Sequence, residues 1–200
     1  MKKTIKQVIK KIILSIDDKI FRYIVKWLYP KYKRPRYGYM LNIQLLLRYA
    51  IMQKILRING SVPWPVDFRS KVSGWKNIEK GIFCDPGDNL GIYINAGGGL
   101  KLGNNVAIAA NTTITTTNHD MYDHRKTSKI KGVTIGDNVW IGANCSIVAG
   151  VNIGDNVTIG AGCSIRNNIP SNSIIIASDH SIRIVKKRTY KWNVLEEELN

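Results

Sequence analysis

The chain is poor in cysteine, and its cysteines are not spaced for a metal site or a disulfide framework. Its 200 residues contain three cysteines, Cys84, Cys145 and Cys163, and no CxxC pair. Zinc knuckles and disulfide-rich folds need such closely spaced or paired cysteines. The composition therefore indicates neither.

Long uninterrupted apolar runs are also lacking. The mean hydropathy of −0.14 argues against a bundle of membrane spans. The apolar residues between Ile5 and Leu28 are broken repeatedly by Lys, Arg and Asp, unlike the apolar core of a signal peptide. We therefore expect a cytoplasmic protein.

Acidic residues are scarce at one end of the chain. The whole chain has 30 Lys and Arg against 14 Asp and Glu, a net charge of +16. Residues 1–57 hold 15 of these basic residues and only two acids, whereas the rest of the chain is close to neutral. The basic character thus belongs to the N-terminal segment. No recognisable nucleic-acid motif accompanies it, so we expect no nucleic-acid partner.

The basic segment reads as two helices. Apolar residues recur at three- and four-residue steps over residues 4–28, and a second helical pattern covers about residues 40–58. One hypothesis places residues 1–36 on the anionic inner membrane surface as a peripheral contact. The alternative is that both helices pack on the oligomer and the lysines are solvated.

Beyond about residue 60 the sequence repeats in sixes. Hexapeptide repeats predict a parallel β-helix, in which three hexapeptides form one triangular coil of 18 residues. Ile135 is then expected to stack on Ile153, and Cys145 on Cys163. Asn and Asp residues in the repeats, such as Asn138, suit the tight corners. The aliphatic positions that carry the repeat are Leu102, Ile108, Ile114, Ile135, Ile141, Ile147, Ile153, Ile159 and Ile165.

One large interruption breaks the repeat between Ile114 and Ile135. A single hexapeptide step would have reached position 120, so about fifteen residues are extra and form a loop insertion at about residues 117–132. Long loops on rigid repeat scaffolds are often functional. His119 lies at the start of this loop and is therefore the first candidate for a functional residue.

Residues 60–175 resemble the hexapeptide-repeat acyltransferases, in particular the sugar and exopolysaccharide O-acetyltransferases. The resemblance implies a mainly β fold: a left-handed parallel β-helix over residues 60–176, after an α-helical segment 1–59 and before a C-terminal tail 177–200. The stretches that carry it are Thr117-Asn118-His119-Asp120, residues 135–144 with Trp140, and residues 150–162.

The resemblance also implies the chemistry. It makes acetyl-CoA the co-substrate, bound in the groove between subunits of a homotrimer, and His119 the general base. An imidazole takes the proton of an acceptor hydroxyl as that hydroxyl attacks the acetyl thioester. The implied cofactor-binding residues are Trp140, Gly142, Ala143, Gly160, Ala161 and Arg166, and the implied substrate-binding residues are Asn95 and Asp120.

Several alternatives remain open at this stage. The expected acceptor is a sugar hydroxyl in capsule, exopolysaccharide or lipopolysaccharide biosynthesis, and serine, an amino sugar or an antibiotic are alternatives. Asn89 is an alternative to Asn95 as the residue that holds the acceptor sugar or orients His119. Trp140 could equally cover an interface between subunits. The chain departs from the family after the last coil, where Arg166-Asn167 replaces a Thr-Lys pair and residues 177–180 replace a Gly-Asn-Pro-Ala turn.

Two other classes of protein share this fold. A zinc enzyme needs three converging ligands, but His119 and His124 are joined only by His180, which follows the coils. We therefore expect no metal. A non-catalytic scaffold with an ice-binding face needs threonine in every coil, whereas the run from Thr112 to Thr117 occurs once.

Overall fold

The protein is described by a computed structural model that covers residues 2–34, 40–128, 131–178 and 181–186. Its main body is a three-sided β-helix of short strands, in which each face is a sheet of almost entirely parallel strands. A helical segment precedes this body.

The strands form three faces. The first face contains β1 (Lys71–Ser73), β3 (Tyr93–Asn95), β6 (Thr113–Thr115), β9 (Ser146–Ile147) and β12 (Ser164–Ile165). The second contains β2 (Ile78–Lys80), β4 (Leu100–Leu102), β7 (Val133–Ile135) and β10 (Asn152–Ile153). The third contains β5 (Val106–Ile108), β8 (Val139–Ile141), β11 (Thr158–Ile159), β13 (Ser173–Ser178) and β14 (Ser181–Lys186).

The strand register confirms the 18-residue coil. Ile135 pairs with Ile153, Ile141 with Ile159, and Ile147 with Ile165. Because each aliphatic residue stacks on its counterpart one coil away, the interior is a continuous apolar column. The second inward position of each repeat is buried as well, at Val133, Val139, Cys145, Val151, Val157 and Cys163.

The insertion falls where the repeat is interrupted. Ile114 pairs with Ile147, a separation of 33 residues and therefore fifteen more than one regular coil. The earlier coils carry small insertions too, since Ile94 pairs with Ile114 and Val72 with Ile94 at separations of 20 and 22 residues. These extra residues account for the irregular early repeats in the sequence.

The corner between the second and third faces is held by a ladder of asparagines. Asn105, Asn138 and Asn156 have φ values of 54°, 57° and 56°, in the left-handed region that asparagine tolerates. The side-chain amide of Asn105 donates to Asn138 Oδ1 over 2.8 Å, and that of Asn138 donates to Asn156 Oδ1 over 3.3 Å. The repeated asparagines thus bond one coil to the next.

The N-terminal segment contains the two predicted helical stretches, each with a π-helical section. The first comprises α1 (Lys2–Ile16), a π-helical section (Asp17–Phe21) and α2 (Arg22–Leu28). The second comprises α3 (Asn42–Leu45) and a π-helical section (Leu46–Ile55). Residues 35–39, between the two stretches, lie outside the described residues.

A buried carboxylate joins the two helical stretches. Asp17 is 4% exposed, and its oxygens accept hydrogen bonds from the backbone N–H groups of Asn42 and Ile43 at 3.0 and 2.9 Å. These N–H groups begin α3 and have no partner within the helix, so an acid from the first stretch caps the second. Val25 and Tyr29 pack against Leu45 in a small separate core.

The second helical stretch closes the first end of the β-helix. Gln53 is fully buried there; its amide donates to the Trp64 carbonyl at 2.9 Å and its carbonyl accepts from Val66 N at 3.0 Å. Trp64, also fully buried, donates from Nε1 to the Pro86 carbonyl. A solenoid needs such a cap because its end coil would otherwise expose the apolar column.

The other end of the β-helix carries a hairpin. Strand β13 pairs parallel with β11 and antiparallel with β14. The boundary expected at residue 177 therefore falls inside β13. Within the described residues, no helix is both long enough and apolar enough to cross a membrane.

Candidate functional site

The inserted loop folds back on itself at the corner between the first and second faces, here called the first corner. His119 and Thr127 form an isolated antiparallel bridge, and backbone N–H groups of Asp120 and Ser128 donate across the loop to Lys126 and Asn118 at 2.9 and 2.8 Å. Residues 118–128 of the loop are therefore held together by backbone hydrogen bonds, outside the β-helix between β6 and β7.

His119 has one ring nitrogen engaged and its side chain exposed. Nδ1 lies 2.7 Å from the carbonyl oxygen of His124. A carbonyl oxygen accepts hydrogen bonds only, so Nδ1 carries the hydrogen in this contact. In the neutral imidazole the other nitrogen, Nε2, then bears a lone pair. This tautomer suits a group that removes a proton with Nε2.

Asp120 is occupied by the turn of the loop. Its Oδ1 accepts from the backbone N–H groups of Tyr122 and Asp123 at 2.8 and 3.0 Å. This side-chain-to-backbone pattern replaces a backbone turn. The carboxylate thus shapes the segment that carries His119, while its expected contact with substrate stays a prediction.

Asn95 joins the body of the helix to the base of the loop. It ends β3, and its Nδ2 donates to Oγ1 of Thr117 at 3.0 Å. Next to it, the fully buried Thr116 donates to the Asn95 carbonyl at 2.9 Å and accepts from Gly98 N at 2.7 Å. Asn95 and the two threonines therefore hold the loop where it leaves the first face.

Asn89, the competing residue, lies elsewhere. Its Nδ2 donates to the carbonyl of Ile108 at 2.7 Å, and its own carbonyl accepts from the Ser70 hydroxyl. Ile108 belongs to the third face, so this contact ties two coils together away from the loop. The geometry places Asn95, and not Asn89, beside the segment that carries His119.

Another group of candidates lies at the corner between the third and first faces, here called the third corner. Trp140 projects from β8 and is 52% exposed. Gly142 follows it, and a Cβ at this position would lie 2.5 Å from the backbone nitrogen of Ala161 in the next coil. Ala143 accepts from Gly162 N at 2.8 Å. Small residues here let consecutive coils stack closely.

The structure separates the predicted site residues into two sets. Arg166 follows β12 and thus lies at the first corner, two coils from His119, with Nε 3.4 Å from Ser164 Oγ. Within one chain, the first corner carries Asn95, His119, Asp120 and Arg166, and the third corner region carries Trp140, Gly142, Ala143, Gly160 and Ala161. Asp179 and His180, where the chain departs from the family, lie outside the described residues.

The cysteines are unsuited to nucleophilic catalysis. Burial raises the pKa of the Cys84, Cys145 and Cys163 thiols, which disfavours the reactive thiolate. The Sγ of Cys145 instead lies 3.2 Å from the carbonyl of Gly160 inside the apolar column. Cys145 and Cys163 are both buried inside the β-helix, one coil apart, as their spacing predicts.

No cluster of three or more His, Cys, Asp or Glu side chains able to hold a metal ion occurs in the described part of the chain. His180, the third histidine considered in the sequence, lies outside it. His119 and His124 are five residues apart, and the contact between them uses a backbone carbonyl.

Sequence comparison identifies the repeats. Residues 132–167 match the family described as bacterial transferase hexapeptide (six repeats). This match and the three faces of parallel strands confirm two predictions, the hexapeptide repeats and the left-handed parallel β-helix.

Individual relatives carry transferase names. The Saccharomyces cerevisiae protein YJL218W, named as a candidate acetyltransferase, is 38% identical over 127 residues, which are 57% of this chain and 64% of that protein. The match therefore spans less than two thirds of the yeast protein's length.

The comparison with solved structures gives matches of similar extent. AntD, an N-acyltransferase from Bacillus cereus solved with dTDP and 3-hydroxybutyryl-CoA, superposes with a TM-score of 0.51 at 18% identity, covering 62% of this chain and 80% of its own. A maltose O-acetyltransferase from Clostridium difficile 630 has a TM-score of 0.47 at 30% identity, over 60% of this chain and 64% of its own.

Proposed function

We propose that the protein is an acetyl-CoA-dependent O-acetyltransferase and that His119 is its general base. The observation that carries the proposal is the bond between His119 Nδ1 and the His124 carbonyl, which places the lone pair of the neutral imidazole on Nε2 of an exposed side chain. The transferase family of residues 132–167 and the name of the yeast relative support the reaction class.

The proposed chemistry is a direct transfer. Nε2 of His119 takes the proton of an acceptor hydroxyl while the hydroxyl oxygen attacks the carbonyl carbon of the acetyl thioester. The C–S bond then breaks, the imidazolium returns the proton to the coenzyme A sulfur, and the acetyl ester leaves. General-base assistance of this kind contributes roughly 10²–10⁴-fold in rate. The buried cysteines fit a mechanism without an acyl-enzyme intermediate.

The cofactor groove is proposed to lie between copies of the chain. In one copy, His119 and the segment from Trp140 to Gly142 lie at different corners of the triangular cross-section. A contact that sets the first corner of one copy against the third corner of the next would bring them together. Such a head-to-tail contact closes into a ring when its rotation allows, and a ring of three copies is the homotrimer that the resemblance implies. The exposed indole of Trp140 and the narrow strip from Gly142 to Ala161 would then line the pantetheine path.

The acceptor is proposed to be a sugar hydroxyl, as on a precursor of capsule, exopolysaccharide or lipopolysaccharide. This choice rests on the resemblance of the loop and of the Trp140 repeat to sugar O-acetyltransferases. Asn95, placed at the base of the loop, is a candidate to orient either the sugar or the loop that carries His119.

The test is release of free coenzyme A thiol from acetyl-CoA in the presence of candidate acceptors. Parallel reactions would contain mono- and disaccharides, amino sugars and serine, with an acceptor-free reaction as the control for thioester hydrolysis. Acceleration by a sugar without an amino group, with an O-acetyl ester found by mass spectrometry, supports the proposal. Acceleration by amino acceptors alone, with an amide product, would overturn the hydroxyl assignment.

A further inference from the structure

The first helix presents an apolar surface that the rest of the described chain leaves uncovered. All ten side chains from residue 7 to residue 16 are exposed, and Ile12 is 53% exposed. Five of the six exposed apolar residues in this stretch follow three- and four-residue steps, which places them along one side of a helix, whereas Leu14 lies off that side. These five residues, here called the apolar stripe, are Val8, Ile9, Ile12, Ile13 and Ile16.

Exposed apolar side chains continue at similar spacing through the π-helical section and into α2, where two of them are aromatic. Ile20 and Ile24 are exposed, followed by Trp27, which is 79% exposed, and Tyr23 is exposed beside them. Large aromatic rings with a polar edge favour the boundary between water and hydrocarbon. An exposed tryptophan at the end of an aliphatic stripe is costly in water and suits that boundary.

Positive charge borders this surface. Lys10 and Lys11 lie between residues of the apolar stripe in sequence and, at about 100° per residue, fall one on each edge of the stripe. Lys19 and Lys26 are exposed further along. Residues 1–57 carry 15 basic side chains against two acids, and one of the acids, Asp17, is buried as a helix cap. The charge of the segment is thus almost entirely positive.

The helix is fixed to the body at its far end. Asp17 caps α3, and Val25 and Tyr29 are buried in the small core of the helical segment. The segment is in turn joined to the β-helix by Gln53. The apolar stripe therefore extends from a defined point at the capped end of the β-helix.

We propose that this surface docks on an anionic lipid bilayer, with the apolar stripe in the headgroup region and the lysines facing anionic headgroups. Two partners could cover the apolar stripe, a second copy of the chain or a lipid bilayer, and the positive charge of the segment favours the bilayer. A second copy of the chain would bring two strongly cationic segments together, whereas an anionic bilayer satisfies both the charge and the apolar side chains. The helix lies in the plane of the surface and brings the capped end of the body to the membrane.

The test is flotation of the full chain with phosphatidylcholine vesicles made with and without phosphatidylglycerol. The proposal predicts binding to the anionic vesicles that weakens with salt. The double variant Lys10→Gln/Lys11→Gln should bind roughly 25-fold more weakly, from about fivefold for each lysine. The matched control Lys101→Gln/Lys131→Gln, which removes two exposed lysines from coils further from the capped end, should bind like the unaltered protein.

A second variant tests the apolar stripe itself. Ile12→Asp/Ile13→Asp should abolish flotation while leaving the unfolding temperature and the oligomer mass unchanged. Equal flotation of this variant would overturn the proposal. A drop in its oligomer mass, with no lipid binding by the unaltered chain, would instead assign the stripe to contacts between copies and equally overturn it.

Discussion

The Nδ1 atom of His119 lies 2.7 Å from the carbonyl oxygen of His124, five residues further along the same loop. The loop therefore selects the tautomer of its own histidine through its backbone, and the identity of the His124 side chain is not needed for that bond. The antiparallel bridge between His119 and Thr127 sets the distance. The His119 side chain takes part in this bond, whereas His124 contributes only its backbone. Variants of the two residues therefore serve as controls for each other.

Close stacking at the third corner predicts unequal costs for two glycine substitutions. Gly142→Ala should destabilise the fold by about 1–3 kcal/mol, because the new Cβ would lie 2.5 Å from the Ala161 backbone nitrogen. Gly160→Ala should cost clearly less, since its Cβ would first meet the Ile175 carbonyl oxygen at 3.2 Å. Urea unfolding of both variants measures the difference; equal free energies of unfolding would contradict the stacking geometry.

The bond from Asn95 to Thr117 predicts a positioning role. Asn95→Ala should lower kcat by about tenfold, the order expected for one lost hydrogen bond, with little change in the KM for acetyl-CoA. Thr117→Val, which removes the acceptor, should have a similar effect.

The control for this pair is Asn89→Ala, which removes the bond to Ile108 and should leave kcat unchanged. Steady-state thiol release compares the three variants. A kcat loss in Asn89→Ala as large as that in Asn95→Ala would show a general loss of packing and argue against a specific role for Asn95.

The raised thiol pKa values predict unreactive cysteines. Burial favours the neutral thiol at Cys84, Cys145 and Cys163, so the folded protein should react slowly with a disulfide reagent at neutral pH. All three thiols should react once the protein is unfolded in guanidinium. Rapid modification of one thiol in the folded protein, together with loss of transferase activity, would reopen the case for a cysteine nucleophile.

The coils could be predicted from the sequence because the 18-residue period follows directly from the three-sided geometry of the β-helix. Every third hexapeptide returns to the same face, so the spacing of Ile135 and Ile153 predicts their pairing without further information. The insertion could also be predicted, because Ile114 and its partner Ile147 are fifteen residues further apart in sequence than one regular coil requires. Local periodicity encodes both features.

The remaining features depend on contacts that spacing does not encode. Nothing in the pattern indicates that Gln53 binds the backbone at Trp64 and Val66, or that Asp17 caps a helix 25 residues away. The choice between Asn95 and Asn89 was also open, because small insertions obscure the register of the early coils. The run of threonines near residue 116 was a signal for the bonded base of the loop.

The most direct measurement of the central claim is acetyl transfer by His119→Ala and His124→Ala in parallel. We predict that His119→Ala loses about 10²–10⁴-fold in kcat and still binds coenzyme A in calorimetry. His124→Ala, which keeps the backbone carbonyl that orients His119, should retain nearly full turnover. Unchanged turnover in His119→Ala, or an equal loss in both variants, would contradict the assignment of His119 as the general base.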